Sequence, residues 1–124
     1  MNIFILEDND QRIKFFRKLF LDHNVICSTT VDDAIETVDS LEFDMIMLDH
    51  DLGGKLGMGF MQDKTGLGLV DYIIDKDSQK NTSYIIHSQN PVGAVRMLNA
   101  LRDSGRKVRI KPFTLIYSEQ SWIS

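Results

Sequence analysis

The 124-residue chain predicts a single α/β domain, an open five-stranded parallel sheet doubly wound with helices on both faces. Three observations predict it. Short, continuous apolar runs recur along the chain, as strands buried on both faces require. Stretches with apolar residues at helical spacing alternate with those runs. Three of the runs stop abruptly in polar, mostly acidic clusters. A chain of this size hides roughly two thirds of its unfolded surface, so it needs no metal or disulfide to fold.

Asn2-Ile3-Phe4-Ile5-Leu6 is the first strand and ends at Glu7-Asp8-Asn9-Asp10. A helix follows from Gln11 to about Asp22, with Ile13, Phe16, Leu19 and Phe20 on one face. Val25-Ile26-Cys27 is the second strand. Thr30 can cap a helix over Val31–Ser40, whose apolar stripe is Ala34, Ile35 and Val38. The third strand, Phe43–Leu48, is again stopped by acid at Asp49-His50-Asp51. A loop with four glycines runs from Leu52 to Lys64. Thr65 then caps a helix with Leu67, Val70, Ile73 and Ile74 inward.

Tyr84-Ile85-Ile86 is the fourth strand and ends at His87-Ser88-Gln89-Asn90. Asn90-Pro91 starts a helix, because Asn caps and Pro suits the first turn. That helix runs to about Ser104, with Ala94, Leu98 and Leu101 inward and Gly105 as its stop. Lys107–Ile110 alternates apolar and charged residues, the pattern of an edge strand. Residues 113–124 form a short final helix or a tail. The expected strand order is 2-1-3-4-5.

Eighteen acidic against fourteen basic residues leave a net charge of −4. A non-specific nucleic-acid binder needs a basic excess to displace counterions, so that class is excluded. Cys27 is the only cysteine and cannot form an internal disulfide. No apolar run reaches the roughly 18 residues of a membrane span, and the acidic cluster at Glu7 is unlike a signal peptide. A soluble, cytoplasmic protein is expected.

In open parallel sheets, ligands bind beyond the carboxyl ends of the strands. There this sequence places Glu7 and Asp8, then Asp49, His50 and Asp51, then His87, Ser88 and Asn90, and finally Lys111. Carboxylates gathered on one sheet edge repel, and a hard divalent ion such as Mg²⁺ resolves the conflict. Ser88, Asn90 and Lys111 are then placed as donors to phosphoryl oxygens. His50 and His87 are the residue type that could each shuttle a proton near neutral pH. For any one of these residues the plain alternative is a polar loop position.

Ile5-Leu6-Glu7-Asp8-Asn9, Met47-Leu48-Asp49, Ser88 and Lys111-Pro112-Phe113 resemble the receiver domains of two-component response regulators, over essentially the whole chain. The resemblance implies a flavodoxin-like fold, with Mg²⁺ or Mn²⁺ held by Glu7, Asp8 and Asp49. It makes Asp49 a phosphoryl acceptor contacted by Ser88 and Lys111, and it implies a cis Lys111-Pro112 bond. Asp51 would serve the metal through its backbone carbonyl or its carboxylate.

Leu48-Asp49-His50-Asp51-Leu52-Gly53, Thr65-Gly66 and His87-Ser88-Gln89-Asn90-Pro91 depart from ordinary receivers. They are similar to the divergent cyclic-phosphate-processing receiver family. That resemblance implies a metal-dependent phosphoesterase acting on a cyclic phosphate of a nucleotide or sugar. In it Asp49, His50, His87, Ser88 and Lys111 form the catalytic set. The alternatives are a stand-alone receiver phosphorylated on Asp49, and a module that binds a cyclic nucleotide without cutting it. The expected partner is a small cyclic phosphate, with no membrane; a second copy of the chain or a partner protein stays open.

Other motifs fail. Gly66-Leu67-Gly68 lacks the third glycine and the strand context of a dinucleotide fingerprint, and the segment before Lys64-Thr65 has no P-loop glycine. His50-Asp51 follows a strand and lacks the further histidines of helical HD phosphohydrolases. Cys27 reads as core filler. Met58, Phe60 and Met61 could pack on a ligand from a closing lid or form a surface contact.

Overall fold

The computed structural model describes residues 1–52 and 64–119. The glycine-rich loop with Met58, Phe60 and Met61 lies outside the described residues, as does the end of the chain. Among the described residues, β1 (Asn2–Leu6), β2 (Asn24–Ser28), β3 (Met45–Leu48), β4 (Ser83–Ile86) and β5 (Lys107–Ile110) form one parallel sheet in the order β2-β1-β3-β4-β5. The helices are α1 (Asp10–Leu19), α2 (Val31–Ser40), α3 (Gly66–Asp75), α4 (Pro91–Asp103) and α5 (Phe113–Glu119). No described helix is long and apolar enough to cross a membrane.

The sheet separates two cores, one on each face. Phe4, Leu6, Ile46, Leu48, Tyr84 and Ile86 point toward α2, α3 and α4, where Ala34, Val70, Ile73, Met97 and Leu101 meet them. Ile3, Ile5, Met45, Met47 and Ile85 point the other way, onto Phe16 of α1, Phe20 just after it and Ile116 of α5. Central β1, β3 and β4 have both faces covered, which is why their sequences are uninterrupted apolar runs. The two edges differ. In β5 the side chains of Lys107 and Arg109 stay exposed, as an edge strand allows.

Element ends follow local chemistry. Asn9 caps α1, its side chain accepting from the Arg12 N–H at 3.0 Å, so the helix begins at Asp10. It stops at Leu19, before the expected Asp22, because the chain turns at Phe20 and the His23 N–H returns to the Phe20 carbonyl. Thr30 caps α2 through its hydroxyl. Thr65 occupies the corresponding place before α3, yet its side chain makes no capping bond, contrary to expectation. Leu69 and Met97 are fully buried as well, while Ile74 and Leu98, expected inward, pack partly buried against the same core. β3 starts at Met45, since Phe43 turns into the core against Phe4 and its N–H bonds to Gln79. Cys27 is half-buried, because β2 is the other edge of the sheet. The segment after β5 is helical through Glu119. The Lys111–Pro112 bond is trans, in contrast to the cis bond that the resemblance implied.

Candidate metal and phosphate site

Three side chains converge beyond the carboxyl ends of β1, β3 and β4. Each of Glu7, Asp49 and His87 offers a ligand atom, and the three atoms lie within 4.8 Å of one another. The sheet register explains the meeting. Leu6 pairs with Leu48 and Leu48 with Ile86, so the next residue of each strand enters the same layer. Glu7 and His87 are fully buried and Asp49 nearly so.

Glu7 is held at both oxygens. Its Oε2 accepts from the N–H groups of Asp8 and Asn9 at 3.0 and 3.1 Å, and its Oε1 lies 2.9 Å from Nε2 of His87. With a carboxylate as partner, Nε2 is the protonated nitrogen. Burial pushes the Glu7 carboxyl upward, but the hydrogen bond and charge of His87 outweigh it and leave the group below its usual range. Arg12 adds a cation 3.8 Å from Oε1. Asp49 ends on the other side of the balance. Burial, reinforced by the Glu7 charge, outweighs the pull of His87 and lifts it to about 6. Its Oδ1 still accepts the N–H of His50 at 2.8 Å. Two buried carboxylates side by side, one held at a raised pKa, are a donor set that a divalent cation would stabilise. The residues fit such an ion.

A second cluster sits beside the first. Nδ1 of His50 donates to Oδ1 of Asp51 at 2.8 Å, and Nδ2 of Asn90 donates to the same oxygen at 3.1 Å. These two bonds overcome partial burial and keep the Asp51 carboxyl below its ordinary value. Asn90 also caps α4, its Oδ1 accepting from the Gly93 N–H at 3.0 Å. The His50 imidazole lies flat against this turn. A Cβ on Gly93 would come within 2.4 Å of the ring, so only glycine permits the contact. Gly66 plays the same part at α3, where a Cβ would sit 2.0 Å from the Asp49 carbonyl, and its N–H bonds to the His50 carbonyl.

The residues expected at the site are placed unequally. Glu7 and Asp49 come together as expected, while Asp8 is exposed and stands outside the three-residue group. Asp51 gives its carboxylate to His50 and Asn90. His87, expected as a proton shuttle, is enclosed and faces Glu7. Ser88 is buried beside it, with its hydroxyl accepting the Asn90 N–H at 3.0 Å in the turn before α4. Lys111 reaches the same end of the sheet, its ammonium 2.8 Å from Oε2 of Glu119. Arg12, Gly93 and Glu119 were not singled out from the sequence. Gly93 carried a usable signal, since glycine inside a helix usually has a packing reason.

Comparison with known proteins gives the following. A family model described as "Cyclic-phosphate processing Receiver domain" matches residues 1–103. No curated protein matches the sequence. Solved structures match over nearly the whole chain. The signal receiver domain of a LuxO repressor protein from Vibrio parahaemolyticus is 20% identical, with 95% of this chain and 85% of that one covered and a TM-score of 0.66. A CheY-like response regulator receiver domain from Methylobacillus flagellatus is 16% identical, with 98% of each chain covered and a TM-score of 0.66. A response regulator from Thermotoga maritima, in complex with Mg²⁺ and BeF, is 14% identical, with 96% and 93% covered and a TM-score of 0.66. At these identities the solved structures speak for the fold.

Proposed function

The chain belongs to the cyclic-phosphate processing receiver family, and from that membership we propose that it is a divalent-metal-dependent phosphoesterase opening a cyclic phosphate of a nucleotide or sugar. The observation that carries the reading is the pairing of two clusters at one sheet edge: the buried Glu7, Asp49 and His87, and the His50–Asp51–Asn90 group beside them. A phosphoryl acceptor needs the first. Ring opening also needs a proton for the departing oxygen, and the second cluster has the form of a proton-handling dyad.

Hydrolysis forms one P–O bond from water and breaks one P–O bond of the ring, leaving a phosphomonoester and a hydroxyl. Glu7 and Asp49 would hold the metal, which would supply charge stabilisation at the phosphoryl oxygens. His50 moves the proton at Nε2. Its Nδ1–H is committed to Asp51, which fixes the tautomer and aims the other nitrogen away from the carboxylate. At 15% side-chain exposure His50 is reachable from solvent, whereas His87 is enclosed. Lys111 neutralises a phosphoryl oxygen by exchanging Glu119 for it. Ser88 and Asn90 shape the turn before α4 that would line the ligand, Ser88 by accepting the Asn90 N–H and Asn90 by capping the helix.

The signalling reading has its own support. Asp49 stands at the end of the central strand, and among similar folds a response regulator from Burkholderia pseudomallei carries a phosphorylated aspartic acid with a calcium ion. Turnover separates the two. The protein is incubated with a panel of cyclic phosphates and Mg²⁺ or Mn²⁺, and products are followed by mass spectrometry. Linear product in many-fold molar excess over protein supports the enzyme. One phosphoryl group per chain, lost in Asp49→Asn, supports the acceptor. Intact ligand bound without cleavage supports a sequestering module.

A further inference from the structure

We propose that His87 is a nitrogen ligand of the metal centre and that it biases the site toward a first-row transition ion of the Fe²⁺ or Zn²⁺ class over Mg²⁺. The inference deepens the metal reading above and rests on it. Two ligands on adjacent positions of an ion with bonds near 2.1 Å stand about 3 Å apart. Nε2 of His87 and Oε1 of Glu7 are 2.9 Å apart, the spacing of two adjacent ligands, so an ion beside the pair reaches both atoms once the Nε2 proton has passed to Nδ1 or to solvent. The Asp49 carboxylate completes a three-point set within 4.8 Å.

The pair is built rigidly. The Asp8 and Asn9 N–H groups fix the Glu7 carboxylate through Oε2, leaving Oε1 for His87. The imidazole is wholly buried and meets the Phe16 ring edge-on, with centroids 5.1 Å apart. Its Nδ1 has no hydrogen-bond partner among the described residues. A buried histidine kept for hydrogen bonding would ordinarily satisfy both nitrogens. Here the ring is placed by what Nε2 faces. That nitrogen meets the Glu7 carboxylate, and Asp49 offers a second carboxylate within 4.8 Å, the donor set of a mixed nitrogen and oxygen centre. Imidazole suits Fe²⁺, Zn²⁺ and their neighbours, while Mg²⁺ takes oxygen ligands and keeps its waters. An oxygen donor in place of His87 would leave a site of ordinary Mg²⁺ character.

The test uses metals alone, without substrate. In the Co²⁺-loaded full chain, direct ligation predicts a strongly shifted, exchangeable imidazole N–H proton in the ¹H NMR spectrum. It should persist in His50→Gln and His23→Gln and be lost in His87→Gln. Titration calorimetry should show that His87→Gln lowers Zn²⁺ and Co²⁺ affinity by about 100-fold, since loss even of a ligand's partner costs 10–100-fold, while Mg²⁺ affinity stays within about threefold. Circular dichroism checks the fold of the variant; if it fails to fold, the wild-type spectrum decides. Absence of a shifted imidazole proton on Co²⁺ binding, failure of Co²⁺ to bind, or equal metal affinities in His87→Gln overturns the proposal. Its failure is distinct from that of the phosphoesterase reading. Ligation without turnover sinks only the latter, and turnover by a protein whose Zn²⁺ and Co²⁺ affinities are indifferent to His87→Gln sinks only the former.

Discussion

At the scale of single residues, Asp49 and Glu7 contribute to stability with opposite sign. Asp49 is lifted from 3.8 to about 6. Below pH 4 the folded and unfolded forms both carry its proton, and there is no penalty. Between 4 and 6 the unfolded chain ionises first, so stability falls as pH rises. Above 6 the deficit is constant, on the order of 3 kcal/mol for a shift of about two units. Asp49→Asn removes that deficit and keeps an oxygen to accept the His50 N–H. Without metal, the variant should therefore melt several degrees above the parent at pH 7.5 and close to it at pH 4. Glu7 acts the other way: held below its ordinary 4.5, it adds stability above that pH, and this is lost as pH falls through its lower folded value. The Asn variant, freed of the Asp49 slope, should gain stability as pH rises toward about 4.5 and then level off. Calorimetric melts across pH 3–8 check both curves, and equal melting of parent and variant at pH 7.5 would refute the assignment. Truncating His87 to Ala is a harsher change. It strands the Glu7 carboxylate in the core, and breaking such a pair costs about 3–5 kcal/mol.

Between residues and the whole fold stand the helix starts that carry the site. The first turn of α4 serves three purposes at once: Asn90 caps it, bonds Asp51, and brings Gly93 beneath the His50 ring. Gly93→Ala should therefore act on the dyad. A Cβ 2.4 Å from the ring forces His50 or the helix to move, at an overpacking cost of about 1–3 kcal/mol. If His50 carries the proton, cyclic-phosphate turnover should fall at least tenfold with metal affinity little changed; unaltered turnover would remove His50 from the chemistry. The apolar runs and helical spacings made nine of the ten described elements legible, leaving α5 as helix or tail, and the polar strand ends pointed to the right edge of the sheet. Side-chain direction was less legible. Glu7, Asp49 and His87 follow strands that pair in register, so strand order alone placed them together. Whether Asp51 or His87 joins the ions depends on which way one residue faces after its strand ends. Alternation no longer governs there. Thr65 shows the same limit: its residue type suits a cap, but the close packing of Gly66 on Asp49 sets the local backbone.

At the scale of the molecule, the site couples three central strands through residues 7, 49 and 87, far apart in the chain and adjacent in the sheet. An ion bound there links β1, β3 and β4 and binds the unfolded chain weakly, so its binding energy appears as global stability. At about 100 times its dissociation constant, a ligand adds about 2.7 kcal/mol, a shift of several degrees for a domain of this size. The same carboxylates that repel without metal are the ones that would hold it, so tolerance and affinity would trade against each other at Asp49. Parent and Asp49→Asn should then cross. In a chelator at pH 7.5 the Asn variant melts higher, because one buried charge is gone. As Zn²⁺ or Mn²⁺ is added the parent rises and overtakes it, while the variant, short of an anionic ligand, responds weakly. Differential scanning fluorimetry across a metal series reads both limits in one experiment. A variant that responds as strongly as the parent would place the ion away from Asp49, and a parent that never responds would mean that the His87–Glu7 pair, with Arg12 beside it, already neutralises the edge by itself.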